Sequence, residues 1–417
     1  MATVDKSDIS GLLGQLRQTA TQLAQTSATV RSQALATMGD ALTKQQDALL
    51  EANTLDLEIS REMAVPEAVT DWLKLTPERV SRAASILHRL AAIGETVGSW
   101  GNSGQGSAEV VYVRPLGIVA LIYEAFPELG AIAAGLCLQT GNALVLKGGN
   151  ESSQTNHALV NILQAAIAQA GLSPQSLLFI PPERSEVLRS TLVRQPEIDL
   201  VIPYGRPQLV EELVQQATVP ILPTRMGNCY LCWCPSAEAA TVYHMIVDSH
   251  RGEPDAVNSI EKVIVVGDCS DMTLVHLWSQ LLEAGFELRA EEALMPLFGA
   301  LRSSRTADWQ RPYLRRTVAF RRAATLADAV AWANQYSSGH ADSVATTSYA
   351  ESRQFIATIR SASVYLNTSP RFARNPKESA AIALGMSNQA GRTGGVVGIN
   401  ALMSAQRIVH ATFAEPR

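Results

Sequence analysis

Gly117-Ile118-Val119-Ala120-Leu121-Ile122-Tyr123 is an unbroken apolar run of strand length, closed by the acidic Glu124. With no polar alternation, it predicts a strand covered on both faces, as in a parallel sheet. Downstream, a small-residue stretch at 130–139 reads as a helix, 143–146 as a strand and 154–170 as a helix. Residues 177–180 and 200–202 are two more short apolar strands, with a helix-like stretch between them. Strands alternating with helices at this spacing predict a doubly wound α/β lobe. A second strand–helix series begins near Tyr230 and includes 262–266, a helix at 274–284 and a strand at 363–366. Two such lobes predict a cleft for a ligand between them.

Upstream, apolar residues between Leu12 and Leu57 recur at three- and four-residue spacing, which predicts helices. Thr76-Pro77-Glu78-Arg79 is a helix start, with threonine as cap, proline in the first turn and an acid behind it. Gly98, Gly101, Gly104 and Gly106 then lead to Val110-Val111-Tyr112-Val113, an exposed strand or ribbon. Residues 303–316 read as a basic, solvated surface stretch.

Composition bounds the function. The chain has 417 residues, 47% hydrophobic and 18% charged, so disorder is excluded as its dominant state. A net charge of -5 argues against a general nucleic-acid binder, which needs concentrated Lys and Arg. No apolar run reaches the roughly 20 residues of a membrane span. The polar N-terminus has no hydrophobic signal core, and five unevenly spaced cysteines make no disulfide framework. A protein of the reducing cytoplasm is expected.

Local patterns carry little chemistry by themselves. The turn Lys147-Gly148-Gly149, between a strand and a helix, offers close backbone approach, helix N–H groups and a point charge to a phosphate. It is neither a P-loop nor a GxGxxG pattern, and an ordinary tight turn is the simpler reading. Cys229, Cys232 and Cys234 lack the second ligand pair of a zinc site and read as buried strand cysteines. His340, in Ser338-Gly339-His340, is the histidine in a turn-like setting where a side chain would be exposed.

Several segments together resemble the gamma-glutamyl phosphate reductases (glutamate-5-semialdehyde dehydrogenases) of the aldehyde dehydrogenase superfamily. They are Leu75-Thr76-Pro77-Glu78-Arg79, Pro115-Leu116-Gly117-Ile118, Tyr123-Glu124-Ala125, the stretch Gly141-Asn142-Ala143-Leu144-Val145-Leu146-Lys147-Gly148-Gly149, Gly227-Asn228-Cys229, Ser338-Gly339-His340, and Val364-Tyr365-Leu366-Asn367 with Arg371-Phe372. The resemblance spans nearly the whole chain. It implies an aldehyde-dehydrogenase-like α/β fold of two doubly wound lobes with a small oligomerisation element. Expected boundaries are 1–228 for the helical N-terminus and cofactor lobe, with an oligomerisation strand near 108–114, then 229–372 for the catalytic lobe and 373–417 for a C-terminal return. It further implies a cysteine thiolate that attacks the acyl phosphate and an NADPH hydride that reduces the thioester to glutamate-5-semialdehyde, a proline precursor. Lys147, Gly148, Gly149, Pro203 and Gly205 are the cofactor-side positions, and Asn258, Asn367 and Arg371 the substrate-side ones. The implied partners are further copies of the chain, and a pseudoenzyme reading adds an active reductase paralogue or glutamate 5-kinase.

The departures from that family fall on the chemistry. Its Pro-x-Val-Cys-Asn-Ala-x-Glu pattern is here Pro254-Asp255-Ala256-Val257-Asn258-Ser259-Ile260-Glu261, so the nucleophile position is Val257. An arginine before that proline is Glu253. The Tyr-Glu-x-Arg-Pro-Asn stretch is Tyr123-Glu124-Ala125-Phe126-Pro127-Glu128, which puts Glu128 where an oxyanion donor is expected. The Pro-Arg-Gly-Gly turn is Pro203-Tyr204-Gly205-Arg206, and a C-terminal stretch is shortened to Gln389-Ala390-Gly391-Arg392-Thr393-Gly394-Gly395. Three readings follow: a pseudoenzyme with a binding or assembly role, a reductase with a displaced nucleophile such as Cys229 or Ser259, or altered non-covalent chemistry on another ligand.

Overall fold

The computed structural model describes residues 6–102, 109–181, 187–377, 381–389 and 394–409. Gly104, Gly106, residue 108 and residues 390–393, singled out above, lie outside this set. The chain forms two compact units, Met1–Pro223 with Asn375–Leu384 and Gly398–Arg417, and Thr224–Arg374 with Gly385–Val397.

The first unit opens with the helices Lys6–Ala24, Ala28–Lys44, Gln46–Glu62, Glu67–Leu73 and Pro77–Ala91. In the last, Thr76 Oγ1 accepts the Arg79 N–H at 3.3 Å, with Pro77 in the first turn. Thr76→Ala is expected to lower stability by about 1 kcal/mol, read as a shift in the thermal melt. The run that decides the fold is the strand Ile118–Tyr123, all six residues buried. It pairs in parallel with Ala143–Lys147 on one side and Leu200–Tyr204 on the other, with Leu177–Phe179 beyond Ala143–Lys147. The helices Pro127–Thr140 and Ser153–Gln169 connect the strands on one side of this order. The order reverses between Ile118–Tyr123 and Leu200–Tyr204, so the switch-point crevice lies outside their carboxyl ends. Glu109–Pro115 is the middle strand of an antiparallel ribbon with Gly98–Asn102 and Met403–Val409.

The second unit is built on a seven-stranded parallel sheet. Its order is Arg302–Ser303, Glu287–Ala290, Thr317–Ala323, Ile260–Val266, Cys229–Trp233, Ala341–Ala345 and Ser363–Leu366. Leu231, Trp233, Val263 and Val265 point into one core, and Tyr230, Cys232, Cys234 and Ile264 into another, as period-two geometry requires. A small sheet of Thr224–Arg225, Gly385–Ser387 and Val396–Val397 completes the unit.

Three expectations differ from the arrangement of the compact units and their elements. The boundary set at 228/229 falls at 223/224, because Thr224–Arg225 is a strand of the second unit's small sheet. The segment 373–417 is no single return, since Gly385–Val397 belongs to the second unit and its flanks to the first. Residues 303–316 include the short helix Thr306–Gln310, anchored by buried Trp309, and so are more than a solvated loop. No described helix is long and apolar enough to cross a membrane.

Candidate active site

In the second unit, Val257 precedes the strand Ile260–Val266 and its side chain is 1% exposed. Its carbonyl accepts the Gly227 N–H at 2.8 Å and stands 2.8 Å from His340 Nε2. Nε2 therefore carries the proton, and Nδ1 has no hydrogen-bond partner among the described residues. His340 is fully buried, contrary to the exposure expected of a turn, and burial pulls it down to about 4. The imidazole is neutral at physiological pH.

Cys229 is the thiol beside this position, with Sγ 4.0 Å from the Val257 carbonyl oxygen and 3.4 Å from His340 Nε2. Burial, reinforced by the charges of Asp342 and Glu261, pushes the thiol well above its usual range. A nitrogen that donates to Val257 has no lone pair left to take the thiol proton. Cys229 thus lacks both exposure and a base, the two conditions for a reactive thiolate. Ser259 is buried and donates to the Ser249 carbonyl at 3.4 Å. Among the described residues no cluster of three or more His, Cys, Asp or Glu side chains is arranged to hold a metal ion.

Of the three residues expected on the substrate side, Asn258 and Asn367 make hydrogen bonds to the backbone. Asn258 is buried and donates to the Pro370 carbonyl at 2.8 Å. Asn367, at φ 52, brackets the Thr346 peptide, accepting its N–H at 2.8 Å and donating to its carbonyl at 2.7 Å. Asn367 and Arg371 both remain exposed, with Arg371 3.4 Å from Asp248.

In the first unit, Glu128 lies in the first turn of Pro127–Thr140 and receives Arg79 Nε at 2.8 Å. Glu128 is therefore one half of a buried ion pair with Arg79. Lys147 is turned inward, 2% exposed, with Nζ 3.3 Å from the Gly148 carbonyl. A Cβ at Gly148 would stand 2.1 Å from Asn156 Nδ2, and one at Gly149 2.0 Å from the Glu151 carboxylate. Those contacts explain the glycines: the turn is packed on its own side chains. Asp56 receives the Gln154 and Thr155 N–H groups at 3.0 and 2.8 Å, so the N-terminus of Ser153–Gln169 is already satisfied by a carboxylate. Glu151 receives the Ala125 N–H at 2.7 Å, and Glu124 receives the Arg206 N–H at 2.9 Å. Pro203 and Gly205 flank that contact, and a Cβ on Gly205 would meet Glu124 Oε2 at 2.8 Å. With protein carboxylates on these backbone donors, the residues present do not fit a dinucleotide pyrophosphate.

The two parallel sheets and the antiparallel ribbon define an aldehyde-dehydrogenase-type chain, and residues 1–229 match the aldehyde dehydrogenase family. Over 383 residues, 91% of each chain, the sequence is 44% identical to gamma-glutamyl phosphate reductase 2 of Synechocystis. It is 34% identical to the gamma-glutamyl phosphate reductase of Gloeobacter violaceus, over 93% of each chain. The crystal structure of gamma-glutamyl phosphate reductase from Thermotoga maritima superposes with a TM-score of 0.86 at 25% identity, covering 98% of this chain and 99% of that one. The chain belongs to the gamma-glutamyl phosphate reductases of the aldehyde dehydrogenase family. Membership of this oxidoreductase family implies a nicotinamide cofactor for the family as a whole.

Proposed function

We propose that this chain is a gamma-glutamyl phosphate reductase homologue that has lost the family's covalent reaction and acts in proline biosynthesis as a binding or assembly component. One observation carries this reading: Val257, at the nucleophile position, is buried, tied down through its carbonyl, and has no competent thiol beside it. A valine side chain has no lone pair, so no thioester forms there. Glu128, paired with Arg79 in place of an oxyanion donor, supports the same reading. The proposed partners are a second copy of the chain, through the ribbon strand Glu109–Pro115, and an active reductase paralogue or glutamate 5-kinase. The proposed setting is the cytoplasm, where its five cysteines stay thiols.

Cys229 favours a second reading, a displaced nucleophile, because its sulfur lies against Val257. Its buried, protonated state and donor-only His340 Nε2 weigh against that role. The test is phosphate-dependent oxidation of glutamate-5-semialdehyde with NADP⁺, using protein freed of host reductase. No NADPH formation above the protein-free rate is expected, since loss of a nucleophile lowers kcat by a factor on the order of 10⁶. A wild-type rate that disappears in Cys229→Ala would overturn the proposal in favour of the second reading.

A further inference from the structure

Three departures from the family meet at one point of the first unit. Phe126 and Tyr204 stand where the resemblance places two arginines, and Arg206 where it places a glycine. The fold brings all three to the switch point, the carboxyl ends of Ile118–Tyr123 and Leu200–Tyr204. There the Phe126 and Tyr204 rings meet edge to face at 5.6 Å, and Phe126 stacks on Trp72 at 5.0 Å. All three rings are buried. Arg206 reaches back across the same point to Glu124, with Nη2 2.9 Å from Oε1 and Nε 3.2 Å from Oε2. Glu124 Oε2 also receives the Arg206 N–H, and the Glu124 N–H donates to the Tyr204 carbonyl at 3.0 Å. Both carboxylate oxygens and the backbone at the head of the helix Pro207–Gln216 are thus engaged with each other.

We propose that the Arg206–Glu124 pair is a latch that closes the switch-point crevice to a dinucleotide, over a floor filled by Trp72, Phe126 and Tyr204. The guanidinium is half exposed and the carboxylate buried, so the fork is held in one orientation rather than free to meet an incoming phosphate. A glycine at this turn lets a pyrophosphate approach the backbone closely, whereas Arg206 fills that approach and consumes its donor. The latch concerns binding alone. It stands or falls independently of the missing nucleophile, because affinity is measured without turnover.

The experiment is NADPH titration, followed by nicotinamide fluorescence and by calorimetry, on full-length wild type, Arg206→Gly and Glu124→Gln. Melting curves verify that each variant is folded. Wild type should bind more weakly than the variants, and each substitution should lower Kd by at least about tenfold, because the binding-competent fraction rises. Three results would overturn the proposal. Wild type binding as tightly as an active reductase would show that nothing is closed. Unchanged weak binding in both variants would place the closure elsewhere. Weaker binding in Arg206→Gly would make Arg206 a phosphate ligand and not a latch.

Discussion

Arg374→Leu will lower the stability of the second unit by about 3–5 kcal/mol, a melting shift of roughly 10 °C for a unit of this size. Arg374 is buried, with Nη2 2.5 Å from Asp255 Oδ2 and Nη1 2.9 Å from Glu253 Oε2. Both acids are buried as well, and the Arg374 N–H also reaches Glu253 at 3.3 Å. Leucine strands two carboxylates in the interior, and that stranding is the main cost. Adding Glu253→Gln and Asp255→Asn should therefore recover much of the loss, whereas Arg374→Lys alone recovers part of it. Calorimetry of the four proteins checks this. A melting temperature unchanged by Arg374→Leu would show that the triad does not hold the 253–258 segment. Glu253, Asp255 and Arg374 thus clamp the 253–258 segment.

A comparable loss is expected for Glu261→Gln. The Glu261 carboxylate receives the Asn228, Tyr313 and Leu314 N–H groups at 2.9, 2.8 and 2.9 Å. It also faces Lys262 Nζ at 3.4 Å, the ammonium lying 3.6 Å from the centre of the Tyr313 ring. Burial pulls Lys262 down to about 8, and Glu261 holds it up against that pull. At pH 7 the variant loses the counter-charge of a fully buried cation and one carboxylate oxygen as an acceptor, about 3–5 kcal/mol together. The deficit should shrink as pH rises past about 8, because the wild-type lysine then loses its proton and its ion pair. The variant's lysine, no longer held up by Glu261, loses its proton at a lower pH still, so the deficit is largest in acid and already falling as pH approaches 8. Denaturant midpoints at pH 7 and pH 9 decide this, and a deficit that grows with pH would contradict it.

The skeleton was legible where local physics dictates structure. Residues 118–123 had no polar residue to show solvent and became the central strand of the first sheet. Thr76 and Pro77 started a helix because an N-terminus needs an acceptor and tolerates a missing N–H. The valines at 110–113 had no core to enter and formed a ribbon. What sequence did not reveal depends on long-range partners. Glu128 read as a lost donor, but only the fold showed Arg79 neutralising it. Phe126 and Tyr204 read as two separate losses, and their ring contact required the parallel pairing of Ile118–Tyr123 with Leu200–Tyr204. His340, in a turn-like setting, read as a candidate for exposure, yet it is buried with Nε2 2.8 Å from the Val257 carbonyl. Glu261 anchored a register but gave no sign of collecting three backbone donors. A buried-strand pattern broken by Glu261-Lys262 was the available signal, since adjacent charges in an apolar strand need specific partners.

A chain that has lost the covalent reaction takes up no acyl group. Intact-mass spectrometry checks this after incubation with glutamate-5-semialdehyde and NADP⁺ in the absence of phosphate, where a thioester would have no acceptor to release it. The mass is expected to remain that of the bare chain, with an active gamma-glutamyl phosphate reductase treated in parallel as the control. A glutamyl adduct on the wild-type chain, mapped to Cys229 or to any other residue, would contradict the account.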